Sequence, residues 1–396
     1  VSGPNGRRGR IVVMGIVGLS PYAGVAWQAL HYLVGLRQLG YDVHYAEDTQ
    51  AWTYDADQET FTADARFTLS YLDRVMAWGG LGDRWAFRAA PPNDRLFGPA
   101  APRFFQVLRD ADALINLTGS TILRSEYLRV PVRIYLETDP VWPQVAVARG
   151  HLTEFMDAHT HHFTFGENIG GSDCGVPVGR YVYRATRQPV VLSWWAPGGA
   201  AELAAPPEAA AFTTVASWCQ TGKDLDWQGE RYTWSKHHEF LKFLDLPART
   251  RTPLELALSG CDVASADRLA THGWRIREAL PLSRDLFPYR DFIQGSRGEF
   301  TVAKDQNIRL RTGWFSDRSA CYLAAGRPVI TQETGYSTFL PTGKGLFAFS
   351  TMDDILDALD RIADDYAENC RAAAALAAEY FSAEHVLGRL AQQAGL

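Results

Sequence analysis

The sequence predicts an α/β chain built as two doubly wound units that face each other across a cleft. Three observations carry that expectation. The opening "RIVVMGIVGLSPYAGVAWQALHYLVGLRQLGYDVHYAED" reads as strand, glycine-bearing loop, helix and strand. The same alternation restarts after residue 211 with "FTTVASW". Between them "APGGAAELAAPPEAAA" is rich in Ala, Pro and Gly without periodic apolar spacing, which marks a linker.

Taken in order, residues 10–14 are a short apolar run, the pattern of a buried strand. Residues 15–24 follow as a glycine-bearing loop. In 25–39 the apolar positions Ala26, Leu30, Leu33 and Val34 recur at helical spacing, and Gly40 stands where a helix would end. "YDVHYAED" is the next strand, 103–109 a helix, and "ALINLTGS", "VRIYLETDP" and "HFTFGENIG" are further strands. In the second unit "FTTVASW" is a strand, "SKHHEFLKFLDL" a helix, and "PLELALS" and "GWRIREAL" are strands. "DLFPYRDFIQGS" then reads as helix, "GEFTVAK" as strand, "SDRSACYLAAG" as helix and "RPVITQ" as strand. Two or more helices close the chain. The expected organisation is a first unit at 1–195, a linker at 196–211, a second unit at 212–375, and a terminal helix at 376–396 free to pack back on the first unit. No repeat of solenoid period is visible.

Composition bounds the function. With 396 residues, 46% hydrophobic and 21% charged, the chain has material for two domains. No stretch approaches 18 uninterrupted apolar residues, and the basic start "VSGPNGRRGR" carries no cleavage pattern, so the reading is a cytoplasmic protein without a membrane span. Cys174, Cys219, Cys261, Cys321 and Cys370 are scattered and show no metal-ligand spacing, which argues for reduced thiols and against zinc. A net charge of −6 disfavours a general nucleic-acid binder. Lysine is sparse beside arginine, so each of Lys223, Lys236, Lys242, Lys304 and Lys344 draws notice. "HTHH" at 159–162 lacks i,i+4 spacing and an acidic partner pattern, so it is not read as a metal site.

The stretch "RLRTGWFSDRSACYLAAGRPVITQETGYS" carries a resemblance. "GWFS" at 313–316, "AAGRPVI" at 324–330 and "ETG" at 333–335 resemble the donor-binding half of GT-B-fold, nucleotide-sugar-dependent glycosyltransferases. "HGWRIREALPLSRDLFPYRDFIQGSRGEF" is similar to the strand and helix that flank the nucleotide base in that family, and the "GxxGxxPYAG" loop to its acceptor half. The resemblance spans 10–390 in architecture and 270–345 in motif. It implies a GT-B fold, two Rossmann-like doubly wound domains facing a central cleft. It also implies a hexosyl-type transfer from a nucleoside diphosphate sugar to a small-molecule or glycan acceptor, without metal or cofactor. Two departures stand out. Many retaining members carry paired glutamates where this chain has Gly313 and Cys321. Plant-type inverting members read "HCGWNS" where it has "RTGWFS", with Arg311 at the phosphate-contacting histidine.

The residues support a donor site on physical grounds. Ser316 stands at an N-cap position with Asp317 and Arg318 in the first helical turn, and a helix N-terminus attracts a diphosphate. Arg318 or Arg311 could meet the diphosphate with a bidentate fork. Ser235 and Lys236 present a hydroxyl and an ammonium at a second helix start. Lys304, ending a strand, is a weaker candidate. Glu333, with the N–H groups of Thr334 and Gly335, is expected against the sugar. For proton transfer, Asp139 and then Glu137 stand at the end of the "VRIYLETDP" strand, two apart and so on one side if the strand continues. Acceptor contacts are expected from Ser20, Tyr22 and Gln28 in the first loop, and from Glu167 and Asn168 at another strand end. Each has a plainer reading as a cap, a turn or a solvated side chain. A nucleotide-sugar epimerase, a catalytically silent protein of the same fold, and a transferase acting on modified DNA bases are the rival functions.

Overall fold

The computed structural model describes residues 8–196 and 210–396, so most of the expected linker lies outside the described residues. The first half carries β1 (Arg10–Met14), β2 (Asp42–Glu47), β3 (Thr53–Asp55), β4 (Thr60–Thr62), β5 (Trp85–Arg88), β6 (Leu96–Phe97), β7 (Ala113–Leu117), β8 (Val132–Glu137), β9 (His161–Thr164) and β10 (Tyr183–Ala185). The second half carries β11 (Phe212–Ser217), β12 (Leu225–Trp227), β13 (Glu230–Tyr232), β14 (Leu254–Ser259), β15 (Arg275–Glu278), β16 (Gly298–Thr301), β17 (Val329–Gln332) and β18 (Leu346–Phe349).

Two sheets result. One runs β10-β9-β8-β7-β1-β2-β5-β6, parallel except for β6; the other runs β15-β14-β11-β16-β17-β18 and is parallel throughout. Parallel strands are covered on both faces and so read as continuous apolar runs, as Val12, Val13 and Met14 do. Each sheet begins in its middle and reverses direction there, beside β1 and beside β11. Open α/β sheets bind ligands outside the carboxyl ends of their strands at such reversals.

The helix Ala23–Gln38 is buried nearly all round because neighbours cover both of its sides. Trp27 Nε1 donates to Leu286 O of the second half at 3.1 Å. On another side lies the terminal helix Ala383–Ala394, so close that a Cβ on Gly35 would sit 2.5 Å from Leu387 Cδ1. The chain returns to the first half through Val190, whose N–H donates to Phe381 O at 2.7 Å and whose O accepts from Ala383 N at 2.9 Å. One apolar core consequently runs from Ile11 and Leu33 through Ala320 to Leu387 and Leu390.

Several elements depart from expectation. "SKHHEFLKFLDL" forms two short helices, His237–Leu241 and Leu246–Arg249, the second with Pro247 in its first turn. Two hairpins, β3–β4 and β12–β13, were not expected. Each reaches across to the opposite half. Arg284 Nη2 donates to Ala56 O in the β3–β4 turn at 2.7 Å, while Leu225 and Tyr232 of β12–β13 bury against Val141 and Val145.

Candidate active site

The carboxyl ends of strands from both sheets open onto one cavity of about 1080 Å³. Ile16 after β1, Thr118 after β7 and Asp139 after β8 line one side; Ser217, Ser259 and Glu278 line the other.

Lys236 lies in its wall, 9% exposed, with its ammonium 5.5 Å from the Trp314 ring centre. Among the described residues no carboxylate pairs with it. Burial pushes its pKa down to about 7, with repulsion from Arg318 and Lys304 adding to the shift. Ser235 is turned away: its hydroxyl donates to Trp218 O and accepts from Gln220 N, both at 3.0 Å. Of that expected pair, only Lys236 meets the cavity.

At the start of the helix Asp317–Ala324, Ser316 has the extended N-cap backbone but its side chain makes no capping bond. Asp317 does line the cavity. It accepts from Gln28 Nε2 of the first half at 3.2 Å, and burial pushes its carboxyl upward. Arg318 also reaches the wall, but its donors are engaged inside the protein. Nε meets Glu299 Oε1 at 2.6 Å, Nη1 meets Val215 O at 2.5 Å and Nη2 meets Thr301 Oγ1 at 3.0 Å. The expected fork toward a diphosphate is already occupied. Arg311 departs further: at φ 49° it turns outward to Asp173 Oδ2, 2.8 Å away, and does not line the cavity.

"ETG" also has a different place. Glu333 accepts from Gly335 N, Thr334 Oγ1 donates to Trp314 O at 2.6 Å, and Gly313 N donates to Thr334 O at 2.7 Å. These residues brace the 312–314 loop from behind; none lines the cavity.

Asp139 and Glu137 were expected on one side, but β8 ends at Glu137, so the alternation stops there. Glu137 is 1% exposed and accepts from Thr164 Oγ1 at 2.7 Å and Gln144 Nε2 at 2.6 Å. Burial raises its pKa to about 7, and it is a structural carboxyl off the cavity. Asp139 faces the cavity and pairs with Lys304 Nζ of the second half at 2.6 Å. Burial would raise its carboxyl, but Lys304 outweighs that and holds it below the usual range. Lys304 in turn lies 3.3 Å from the Trp234 ring centre.

On the acceptor side, Tyr22 and Gln28 line the cavity and Ser20 does not. The Tyr22 phenol is pushed up to about 12, by burial first and then by Tyr54. Glu167 and Asn168 are elsewhere. Glu167 forms a bidentate pair with Arg187 inside the first half, while Asn168 Nδ2 donates to Arg311 O of the second half at 2.7 Å. The loop 15–19 is itself held by Glu47, which accepts from Gly18 N at 2.7 Å, Leu19 N at 2.5 Å and Tyr45 OH at 2.7 Å.

Sequence reasoning missed Tyr54, Glu59 and Trp314 as cavity residues, and Glu299 as the partner of Arg318. The first two had a signal: "TYDADQETFT" places β-formers either side of an Asp/Gln turn, a hairpin pattern. Glu299 had none, since nothing local to "GEFT" names a partner on a later helix. Among the described residues no group of three or more His, Cys, Asp or Glu is placed to hold a metal ion, and no helix is long and apolar enough to cross a membrane.

Two parallel sheets whose strand ends face one cleft define the GT-B fold, and this chain has it. No protein-family model and no curated protein matches the sequence. Solved structures do match over 98% of its length. An α-glucosyltransferase in complex with UDP and a 13-mer DNA superposes with a TM-score of 0.56 at 10% identity, covering 98% of this chain and 99% of that one. HepE from Anabaena in complex with UDP-glucose gives 0.55 at 11% identity over 98% and 100%. AviGT4, a glycosyltransferase involved in avilamycin A biosynthesis, gives 0.53 at 12% over 98% and 97%.

Proposed function

We propose that this protein is a glycosyltransferase that moves a sugar from a nucleoside diphosphate to an acceptor hydroxyl without a bound metal. One observation carries the reading: an ammonium with no salt-bridge partner among the described residues, Lys236, sits in the wall of the cavity onto which both sheets open. A buried charge is costly unless paired, and a diphosphate supplies the missing partner. Residues 212–375 would bind the donor, through Lys236 and Asp317. Residues 1–195 would bind the acceptor, through Tyr22 and Gln28. Structures sharing the fold hold UDP or UDP-glucose, which makes a uridine diphosphate sugar the first donor to try. Five free cysteines fit a reducing compartment, and the reading puts the enzyme in the cytoplasm.

In the reaction the acceptor oxygen bonds to the anomeric carbon. The bond from that carbon to the diphosphate oxygen breaks, and the electron pair leaves with the nucleoside diphosphate. Lys236 would stabilise the charge gathering on that oxygen. Asp139 would take the hydroxyl proton, with Lys304 keeping it ionised and aimed. Closure of the two halves would keep water from the donor.

A thermal-shift screen with UDP, dTDP, GDP, ADP and their sugars tests the reading, because a ligand at 100 times its Kd adds about 2.7 kcal/mol. One diphosphate should raise the transition. Lys236→Met should abolish that rise while making the free protein melt higher, since it removes an unpaired buried charge. Asp139→Asn should keep the rise and cut transfer by about a hundredfold or more. No shift at millimolar nucleotide would sink the proposal. An isomerised donor formed without acceptor would point to epimerisation, and binding without turnover to a silent protein.

A further inference from the structure

The two sides of the cavity differ in charge and in chemistry. All of its lining cations, Lys236, Arg277 and Arg318, come from the second half. Among the described residues the first half contributes Tyr22, Tyr54, Ile16 and Val25, and its only charged lining groups are Glu59 and Asp139. Tyr54 is held in front of Tyr22 by the β3–β4 hairpin, with ring centres 5.9 Å apart. Phe61, its cross-strand partner, stands edge-on to Tyr54 at 5.4 Å and is 61% exposed. These rings form an aromatic wall at the cavity mouth that ends in solvent. The hairpin adds Asp55 and Asp57 beside Glu59, and 50–65 contains no Lys or Arg. Two cations meet this segment and both are already paired: Arg284 lies 3.7 Å from Glu59 and 3.9 Å from Asp57, and Arg66 lies 2.6 Å from Asp64.

We propose that the acceptor is an uncharged, hydroxylated ring compound that lays a ring face on Tyr22 and Tyr54, and that this half of the cavity rejects anionic acceptors. The inference rests on the sugar-transfer reading and deepens it. Ring faces pack on aromatic side chains through buried area and their quadrupoles. A phosphate or carboxylate entering here would meet Glu59 and Asp139, whose neighbouring cations Arg284 and Lys304 are already engaged, and like charges brought together set specificity by repulsion. Nucleic acid falls in the rejected class, since its phosphates would face the same carboxylates.

The full-length protein, given the diphosphate sugar that raises its melting transition, is assayed with matched acceptors: 4-nitrophenyl glucoside, 4-nitrophenyl glucuronide and a short duplex DNA. Diphosphate release and product mass are the readouts. The neutral glucoside should be used with a kcat/KM about tenfold or more above the glucuronide, and DNA should not be modified. Tyr54→Ala should raise the acceptor KM about tenfold with the donor KM unchanged, and Tyr54→Phe should restore it. Glu59→Gln should narrow the gap between glucoside and glucuronide. Equal use of the charged acceptor, modification of DNA, or an acceptor KM indifferent to Tyr54→Ala would overturn the inference while leaving sugar transfer standing. Failure of every diphosphate to bind would overturn both.

Discussion

A lysine pushed down to about 7 sheds its proton across the neutral range unless an anion lies beside it. For Lys236 the unfolded chain holds more protons than the folded one between about 7 and its ordinary value, so this group's contribution to stability rises with pH over that window. A bound diphosphate would reverse the shift. Binding at pH 8 should therefore take up a proton, and the calorimetric enthalpy should vary with the buffer's ionisation enthalpy; an identical enthalpy in Tris and phosphate would contradict it. Glu47 runs the other way. Burial lifts it from 4.5 to about 7, so its contribution is full below 4.5 and is lost as the pH rises through 7. In urea, the advantage of wild type over Glu47→Gln should shrink between pH 5 and pH 8, and an advantage constant with pH would refute this. Little at this scale was legible in the sequence. "LETD" offered two carboxylates, and only the point where β8 stops separates the cavity group Asp139 from the buried Glu137.

At the scale of elements, the halves are joined by short crossings as well as by the buried core. Asn168 N donates to Thr312 O at 3.0 Å, and Gly166 bridges Trp314. Trp314 Nε1 then donates to Thr138 O at 2.9 Å, next to Asp139. Gly313 makes this crossing possible: its φ is 74°, and a Cβ there would lie 2.6 Å from the Asn168 backbone nitrogen. Gly313→Ala should cost about 2 kcal/mol or more in denaturant, and an unchanged midpoint would show that the crossing yields easily. The motif "TGWFS" was legible as a turn before a helix. That the turn clasps the opposite half was not, because the partner lies 145 residues earlier in sequence, at Asn168.

At the scale of the molecule, the continuous core predicts one cooperative unit. Calorimetry should give a single transition whose calorimetric and van't Hoff enthalpies agree; two separable transitions would refute it. Leu387, fully buried between the terminal helix and Ala23–Gln38, should cost about 2–5 kcal/mol when cut to alanine, and that loss should lower the whole transition. Two hairpins and the Asp139–Lys304 pair link the halves.

Runs such as "RIVVM", "PLELALS" and "RPVITQ", each followed by loop and helix, were enough to predict two parallel sheets, because periodicity and turn chemistry are properties of neighbouring residues. They were also enough to point to the strand ends as the place for a ligand. Which side chains stand there was decided by the tertiary structure. Lys236 was left without a salt-bridge partner among the described residues, while Arg318 was drawn inward by Glu299 and Arg311 outward by Asp173. A charged group takes its role from the partners within a few ångströms, and folding draws those partners from distant parts of the chain.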